Sequence, residues 1–509
     1  MDRKWWTLIA VCIATFMLLM DITVVNVALP DIQRELHASF SELQWVVDAY
    51  SLMLAALLLT AGSLADLFGR RLVFTAGLVI FTLASLLCGL SGSAVVLDLM
   101  RAVQGVGGAL MFATSLALLA QEFHGRERGT AFGAWGASIG AAVAIGPLVG
   151  GVLTEGLGWE WIFFVNIPVG IACVALTLLR VPETRDPNAR GVDWLGVTTF
   201  SSALFLLVFA LIRGNAEGWG STLIVGMLAA AVVLLVLFFV VELRQERPML
   251  DLSLFRKPTF AGASIVAFAL SASMFAMFLY ITLYVQNILG FSPLEAGLRF
   301  LPITLVSFFV APVAGRLAAQ WPVRAFLSTG LVLIGVGLLL MGGLSATSRW
   351  THLLAGFVLA GVGIGLINPP LAQTAVGVVP PERSGMGSGI NNTFRQVGIA
   401  TGIAGLGAVF QHNVQVKAAE KLAALPGVRP ARLAEMISSG EVPQAIASVP
   451  PGPTRGIVAA AARESFISGL NELFVIAAVI AFAGAVLAAV LVRQRDFVAT
   501  AAPEPAPAG

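Results

Sequence analysis

Asp21 lies in an apolar run, about eight residues from one end, which at the rise of a helix puts it roughly 12 Å deep. A charged side chain at that depth costs on the order of 3 kcal/mol even on the most lenient insertion scale. Such a carboxylate must face a cavity, pair with a cation or take up a proton. Asp48 and Arg101 fall at a similar depth in the second and fourth apolar runs, and Asp98 precedes Arg101 by three on the same helix face. Carboxylates and one fixed cation at one level can trade partners, and a proton or a cationic solute can compete for the pairing. The alternative is a static ion pair that locks helices 1, 2 and 4.

A second kind of chemistry is mechanical. In Gly62-Ser-Leu-Ala-Asp66-Leu-Phe-Gly69-Arg70-Arg71, Gly62 permits a close helix contact and Gly69 a tight turn. Asp66 is suited to the positive N-terminal end of a helix from elsewhere in the chain, with the thirteenth run near Gly385 the expected partner. Gly146-Pro147 with Gly150 and Gly151 would let the fifth run bend and pack closely. For binding, the ninth run offers Met274, Phe278 and Tyr280, and the thirteenth offers Asn391, Asn392 and Arg395. Methionines and aromatic faces suit adaptable contact with bulky apolar or cationic compounds, although plain packing accounts equally well for that spacing. Asn26 and Gln104 are the polar candidates on the first and fourth runs. Glu295 and Arg299 have the spacing of an i,i+4 ion pair.

Bond-making chemistry is not expected. No HExxH or GxxxxGK[ST] pattern occurs, Cys12, Cys88 and Cys173 stand alone in apolar runs, and the four histidines do not cluster. No catalytic residue, metal or cofactor is predicted, and the net charge of +2 suggests no nucleic-acid partner.

The elements that must position these residues follow from composition. The 509 residues are 58% hydrophobic and only 11% charged, against roughly 25% charged in soluble domains, so a bilayer is the expected solvent. Runs long enough to cross it lie at 5–29, 44–66, 72–92, 95–120, 129–153, 161–180, 193–213, 220–242, 259–286, 293–318, 324–345, 350–372, 386–411 and 466–492. The first run is longer than a signal-peptide core and is read as a retained span. Lys and Arg collect on one set of short loops, including Arg70, Arg71, Arg126, Arg128, Arg180, Arg190, Arg247, Arg256, Arg383 and Arg493. That bias predicts cytoplasmic termini, with 412–465 an external loop that is either a partly ordered cap or a linker.

The chain also repeats itself. Gly105, Gly107, Gly129, Gly133 and Gly146 recur 256 residues later as Gly361, Gly363, Gly385, Gly389 and Gly402, and Gly62-Ser-Leu64-Ala65 recurs as Gly315-Arg-Leu317-Ala318. The expected fold is all-α and polytopic: six-helix bundles over 1–185 and 251–495, an inserted helix pair at 186–250, and a disordered tail at 496–509. Parallel repeats facing a midplane cavity are a transporter architecture.

The loop Gly62–Arg71 closely resembles the signature loop of the major facilitator superfamily, and Leu99-Met-Arg101-Ala-Val-Gln104-Gly105-Val-Gly107 resembles its second motif. Ala144-Ile-Gly146-Pro147-Leu-Val-Gly150-Gly151 is similar to the motif of its antiporters. Leu19-Met-Asp21-Ile-Thr23-Val-Val-Asn26-Val-Ala-Leu29-Pro30 resembles the version in the fourteen-helix drug:proton antiporter branch. A departure is Trp159-Glu160-Trp161, where that branch commonly has Arg between the tryptophans. The resemblance implies a proton-coupled multidrug efflux antiporter of the plasma membrane, monomeric, exporting small amphipathic or cationic drugs and conferring antibiotic resistance. Asp21, Asp48 and Arg101 would carry coupling, and Gly62, Asp66, Gly69, Arg70 and Arg71 would form the gate. A dedicated exporter of one antibiotic or metabolite fits the same residues. A membrane sensor or membrane enzyme would need a signalling domain or catalytic constellation that is not evident.

Overall fold

The computed structural model describes residues 2–38, 40–185, 191–245, 248–318, 320–423, 429–438 and 442–497. Arg190, Arg247 and the tail from residue 498 onward lie outside these residues. The side chains of Arg126 and Pro147 are likewise outside the description.

The described residues are helical, without strands. The long helices are α1 (Arg3–Leu36), α2 (Phe40–Phe68), α3 (Arg70–Gly89), α4 (Ala94–Glu122) and α5 (Gly125–Leu157). They continue with α6 (Trp161–Arg180), α7 (Trp194–Glu217), α8 (Thr222–Arg244), α9 (Pro258–Ile288) and α10 (Pro293–Leu317). The last four are α11 (Val323–Met341), α12 (Leu354–Gly377), α13 (Ser384–Leu422) and α14 (Pro453–Leu491). Helices are what apolar runs must form in lipid, because each backbone group is then satisfied within its own segment. Their starts are marked by side-chain caps at Ser93, Asp193, Ser221 and Ser292. At Ser292 the cap is a reciprocal box with Glu295. That use of Glu295 replaces the expected ion pair: Arg299 instead donates to the Glu295 backbone carbonyl at 2.7 Å and stacks 3.3 Å from the Phe291 ring centre.

The two halves, α1–α6 and α9–α14, repeat the same glycine contacts. A Cβ on Gly105 would meet the Tyr50 carbonyl of α2, and one on Gly361 the Ile303 carbonyl of α10. Gly107 fits against Gly77 and Phe81 of α3 as Gly363 fits against Gly330 and Ile334 of α11. Gly146 rests on Met20 and Thr23 of α1, and Gly402 on Ala272 and Ala276 of α9. Small residues allow this backbone approach where lipid offers no hydrophobic driving force. The pair α7–α8 lies outside the repeat. Val208 of α7 packs with Leu52 and Ala55 of α2 and with Ala400 of α13.

The segment between α13 and α14 differs from the expected loop boundaries. α13 runs on to Leu422 and α14 begins at Pro453, well beyond the apolar runs ending at 411 and beginning at 466. Hydropathy falls where the helices leave lipid, but the helices persist because Val414, Ala418 and Leu422 bury against the same core as Val458, Ala461 and Ala462. Two short helices, Pro430–Ser438 and Val442–Ala447, add Leu433, Ile437 and Ala445 to that core. The described residues of this segment form a packed helical cap.

Candidate functional site

The structure brings Asp21 and Arg101 together. Arg101 Nη1 donates to Asp21 Oδ2 at 2.5 Å and to Gln104 Oε1 at 2.8 Å, while Nε donates to the Val46 carbonyl at 2.9 Å. The other carboxylate oxygen, Asp21 Oδ1, accepts from Gln104 Nε2 at 2.9 Å and Asn166 Nδ2 at 3.1 Å. Asn166 also donates to Ser85 Oγ at 3.0 Å, and the Tyr50 ring lies 4.3 Å from the Arg101 guanidinium carbon. Both charged side chains are 1% exposed. The network therefore ties α1, α2, α3, α4 and α6 into one buried polar knot. A buried pair of this kind adds little net stability over an apolar replacement, but removing one partner strands the other.

Asp48 stands apart from that knot. It is half-buried on α2 and within electrostatic reach of Arg213 on α7. Arg213 bonds to Gln44 Oε1 at 3.3 Å and Glu217 Oε1 at 2.9 Å. Asp98 is half-buried near Glu42, Arg101 and Asp48. Asn26 is exposed, its amide turned back to the Ile22 carbonyl of its own helix. Gln104 serves the ion pair. Gly146 and Gly150 press α5 onto Thr23 and Val24 of α1, whereas Gly151 faces Leu294 at ordinary contact distance.

On the face carrying Arg70 and Arg71, the halves meet through glycines. A Cβ on Gly62 would stand 2.2 Å from the Gly385 carbonyl oxygen, and one on Gly129 would stand 2.1 Å from that of Gly315. The glycines that match along the sequence thus pair crosswise in space, α2 with α13 and α5 with α10. Beside the first crossing, Asp66 Oδ1 accepts from Gly385 N at 2.9 Å and Oδ2 from Met386 N at 2.8 Å. These are the unsatisfied amides at the start of α13, where a carboxylate is favoured by geometry and by the helix dipole. Arg70, fully buried, holds the same carboxylate through Nη2 at 2.7 Å and reaches the carbonyls of Pro381 and Glu382 at 2.9 and 2.8 Å. Gly69 has φ 118°, and a Cβ there would strike the Glu183 carboxylate, which caps α3 by accepting from Arg71 N and Leu72 N. Arg71 itself stands 3.7 Å from Glu183.

Away from this face α5 and α10 stay in contact along their length, at looser spacing. The nearest α10 atom to a Cβ moves from 2.1 Å at Gly129 to 2.8 Å at Gly133, 3.7 Å at Gly140 and 3.9 Å at Gly151. The seam between the halves is lined midway by Trp135, which stacks on Phe112 and donates to Thr15 Oγ1 at 3.1 Å. Asn392 Nδ2 reaches across from α13 to the Phe112 carbonyl at 3.3 Å. Arg395 donates to Asn368 Oδ1 at 2.8 Å and Asn391 Oδ1 at 3.4 Å. Of the ninth-helix candidates, Met274 and Tyr280 are buried in the core of their own half, with the Tyr280 hydroxyl on the Ile403 carbonyl at 2.8 Å. Phe278 is half-buried between Phe275 and Phe300.

Several participants escaped the sequence reading. Asn166, Ser85 and Tyr50 are isolated polar residues in apolar runs, and that isolation is the signal they carried. Asn368 was concealed between Ile367 and Pro369. Arg213 stands at the very end of the seventh apolar run, where a charge draws no attention.

A family model described as Major Facilitator Superfamily matches residues 11–403. The chain is 34% identical over 494 residues to the tetracenomycin C resistance and export protein of Streptomyces glaucescens, covering 96% of this chain and 91% of that one. It is 39% identical over 405 residues to multidrug resistance protein Stp of Mycobacterium tuberculosis (strain ATCC 25618 / H37Rv), covering 79% and 75%. It is 36% identical over 412 residues to puromycin resistance protein pur8 of Streptomyces alboniger, covering 80% and 82%. Among solved structures, the human organic anion transporter MFSD10 (TETRAN) superposes with a TM-score of 0.62 at 15% identity, covering 94% of this chain and 100% of that chain. That likeness concerns the fold.

Proposed function

Because the chain belongs to the major facilitator superfamily, we propose that it exports small amphipathic drugs in exchange for protons, by alternating access of a cavity between its two halves. The observation that carries this reading is the closure of the arginine-bearing face. Glycine crossings and the Asp66–Arg70 lock hold the two halves together on that face. A lock of that kind belongs to a state closed toward one side and able to open toward it when the lock is released. The basic loops make that side the cytoplasm of a bacterial plasma membrane, with both termini on it and the helical cap outside.

Asp21 is the coupling residue in this scheme. Its proton would be taken up from the outside and given up inside, with Arg101 released and recaptured in step. Asp48, beside Arg213, is the second carboxylate available for the task. The driving force is the proton gradient, whose electrical part is about 2.3 kcal/mol per charge per 100 mV. The relatives named for multidrug, puromycin and tetracenomycin C resistance support a drug as cargo. The name tying one of them to tetracenomycin C also favours a narrower second reading, a dedicated exporter of one compound.

The test is accumulation of a panel of fluorescent amphipathic compounds by proteoliposomes whose interior is more acidic than the bath. Uptake should require the gradient, collapse with a proton ionophore and vanish in Asp21→Asn. Uptake that ignores the gradient, or persists in Asp21→Asn, would sink proton coupling through this residue. Uptake of a single compound from a broad panel would favour the dedicated exporter.

A further inference from the structure

Arg395 sits about 16 Å along α13 from its arginine-bearing end, close to the middle of an apolar layer roughly 30 Å thick. The residue is 6% exposed. Among the described residues no carboxylate forms an ion pair with it. Among the described residues its hydrogen bonds go to neutral amide oxygens, Asn368 Oδ1 at 2.8 Å and Asn391 Oδ1 at 3.4 Å. A guanidinium stays charged at any pH a protein meets, and a buried charge held by neutral dipoles alone is costly.

The surroundings hold a buried donor that has no partner. With its oxygen committed to Arg395, Asn391 presents its Nδ2, which is buried and has no partner. Asn392 Nδ2 is spent on the Phe112 carbonyl of the other half, while its Oδ1 is buried without a partner. Asn368 faces α5: a Cβ on Gly136 would come 3.6 Å from the Asn368 Cβ. The cluster therefore lies on the seam between the halves, next to the Trp135–Phe112 stack. Guanidinium and amide N–H groups converging beside aromatic rings form a receptor for a negatively charged oxygen on a flat apolar body. The planar fork of arginine suits such oxygens, and the same charge repels a cation.

We propose that Arg395, with Asn391 and Asn368, is the recognition point for an anionic oxygen group, a carboxylate or an ionised phenol, on the exported compound. The proposal rests on the exporter reading above and narrows it to acidic amphipathic cargo. The first half needs no such ligand, because Asp21 already neutralises Arg101. The second half leaves its arginine to be neutralised from outside the chain.

Three xanthene dyes of one shape separate the charges: fluorescein, its methyl ester, which keeps the phenolate and lacks the carboxylate, and the cation rhodamine 123. Binding is read by fluorescence anisotropy with the purified full chain in nanodiscs and chloride-free buffer. The wild type should bind fluorescein at least tenfold more tightly than rhodamine 123. Equal binding of the methyl ester assigns the phenolate, and its loss assigns the carboxylate. Arg395→Gln should weaken fluorescein at least tenfold and leave rhodamine 123 unchanged or improved. Asn368→Asp keeps the arginine but gives it an internal counter-ion, so it should also weaken fluorescein, and it carries the test if Arg395→Gln does not fold. A wild type that prefers rhodamine 123 or binds no anionic dye, or variants that bind fluorescein unchanged, would overturn the proposal. If the dyes bind as expected but no gradient moves them in proteoliposomes, the exporter reading fails and the anion site stands. If they move but the variants change nothing, the reverse holds.

Discussion

Two arginines are buried at the heart of this molecule, one in each half, and they are held in opposite ways. Arg101 has a carboxylate at 2.5 Å, a glutamine oxygen, a backbone carbonyl and an aromatic face. Arg395 has two amide oxygens. In the repeat that relates the halves, then, the glycines that set helix spacing recur while the polar residues do not. The difference teaches that packing and chemistry are separable in this fold. Close helix contacts depend on the absence of a side chain and can be copied into both halves, whereas a buried charge is tuned residue by residue. A neutralised arginine suits a switch that is thrown by protonating its partner. One that is left without a counter-charge suits a ligand.

The largest effect that would break this contrast is at Asp21. Asp21→Asn strands Arg101, and removing one member of a buried pair costs about 3–5 kcal/mol. Thermal unfolding in detergent should move down by many degrees, with gradient-driven export lost. If Asp21→Asn is as stable as the wild type, Arg101 does not depend on its carboxylate and the two arginines are more alike than their contacts imply.

A second pair of regions sharpens the point. The crossings Gly62–Gly385 and Gly129–Gly315 are equivalent in spacing, so Gly62→Val and Gly129→Val should both wedge the arginine-bearing face open. Overpacking of this kind costs roughly 1–3 kcal/mol, to be read as a wider distance between spin labels across that face. Only the first crossing carries the Asp66 lock. Asp66→Asn should favour the open face by about 0.3–1 kcal/mol, more because the contact is buried. Arg316→Gln, on the exposed side of the other crossing, should change the distance distribution little. Equal responses at Asp66 and Arg316 would show that the lock adds nothing to the glycine contacts.

The span order was legible because fourteen apolar runs are a long-wavelength signal that local detail does not disturb. Among the described residues twelve helices are long and apolar enough to cross a bilayer by length and composition. Two of the fourteen long helices, α5 and α13, fall outside that set; α13, interrupted by Asn391, Asn392, Arg395 and Gln396, is the helix that carries the lone arginine. The ends of α13 and α14 were not legible, because hydropathy marks the lipid boundary and the helices cross it. Of the site, Asp21 and Arg101 stood out as charges in apolar runs. Asn166 and Asn368 did not, since an amide is cheaper to bury than a charge and its partner lies on a distant helix. The position that would compare with Asp66 in the second half, Ala319, lies outside the described residues.

The smallest expected effect is the most discriminating, and it concerns the stability of Arg395→Gln. The substitution removes a buried charge that has no counter-ion, together with two hydrogen bonds to amide oxygens. Hydrogen bonds to a charged group contribute about 1.5–3 kcal/mol each, and desolvating the ion costs several kcal/mol against them. The two nearly cancel, and the glutamine amide can still donate to Asn368. The net change should fall within about 1 kcal/mol of zero, so the melting temperature of the empty protein should hardly move. Asn368→Asp should raise it, because a carboxylate beside the guanidinium supplies the missing charge. Asp21→Asn and Arg395→Gln thus each neutralise one charge at comparable burial, the first with a large expected loss of stability and the second with almost none. If Arg395→Gln lowers the melting temperature as far as Asp21→Asn does, the arginine of the second half is a structural tie, and the neutral amides hold it well enough without a ligand.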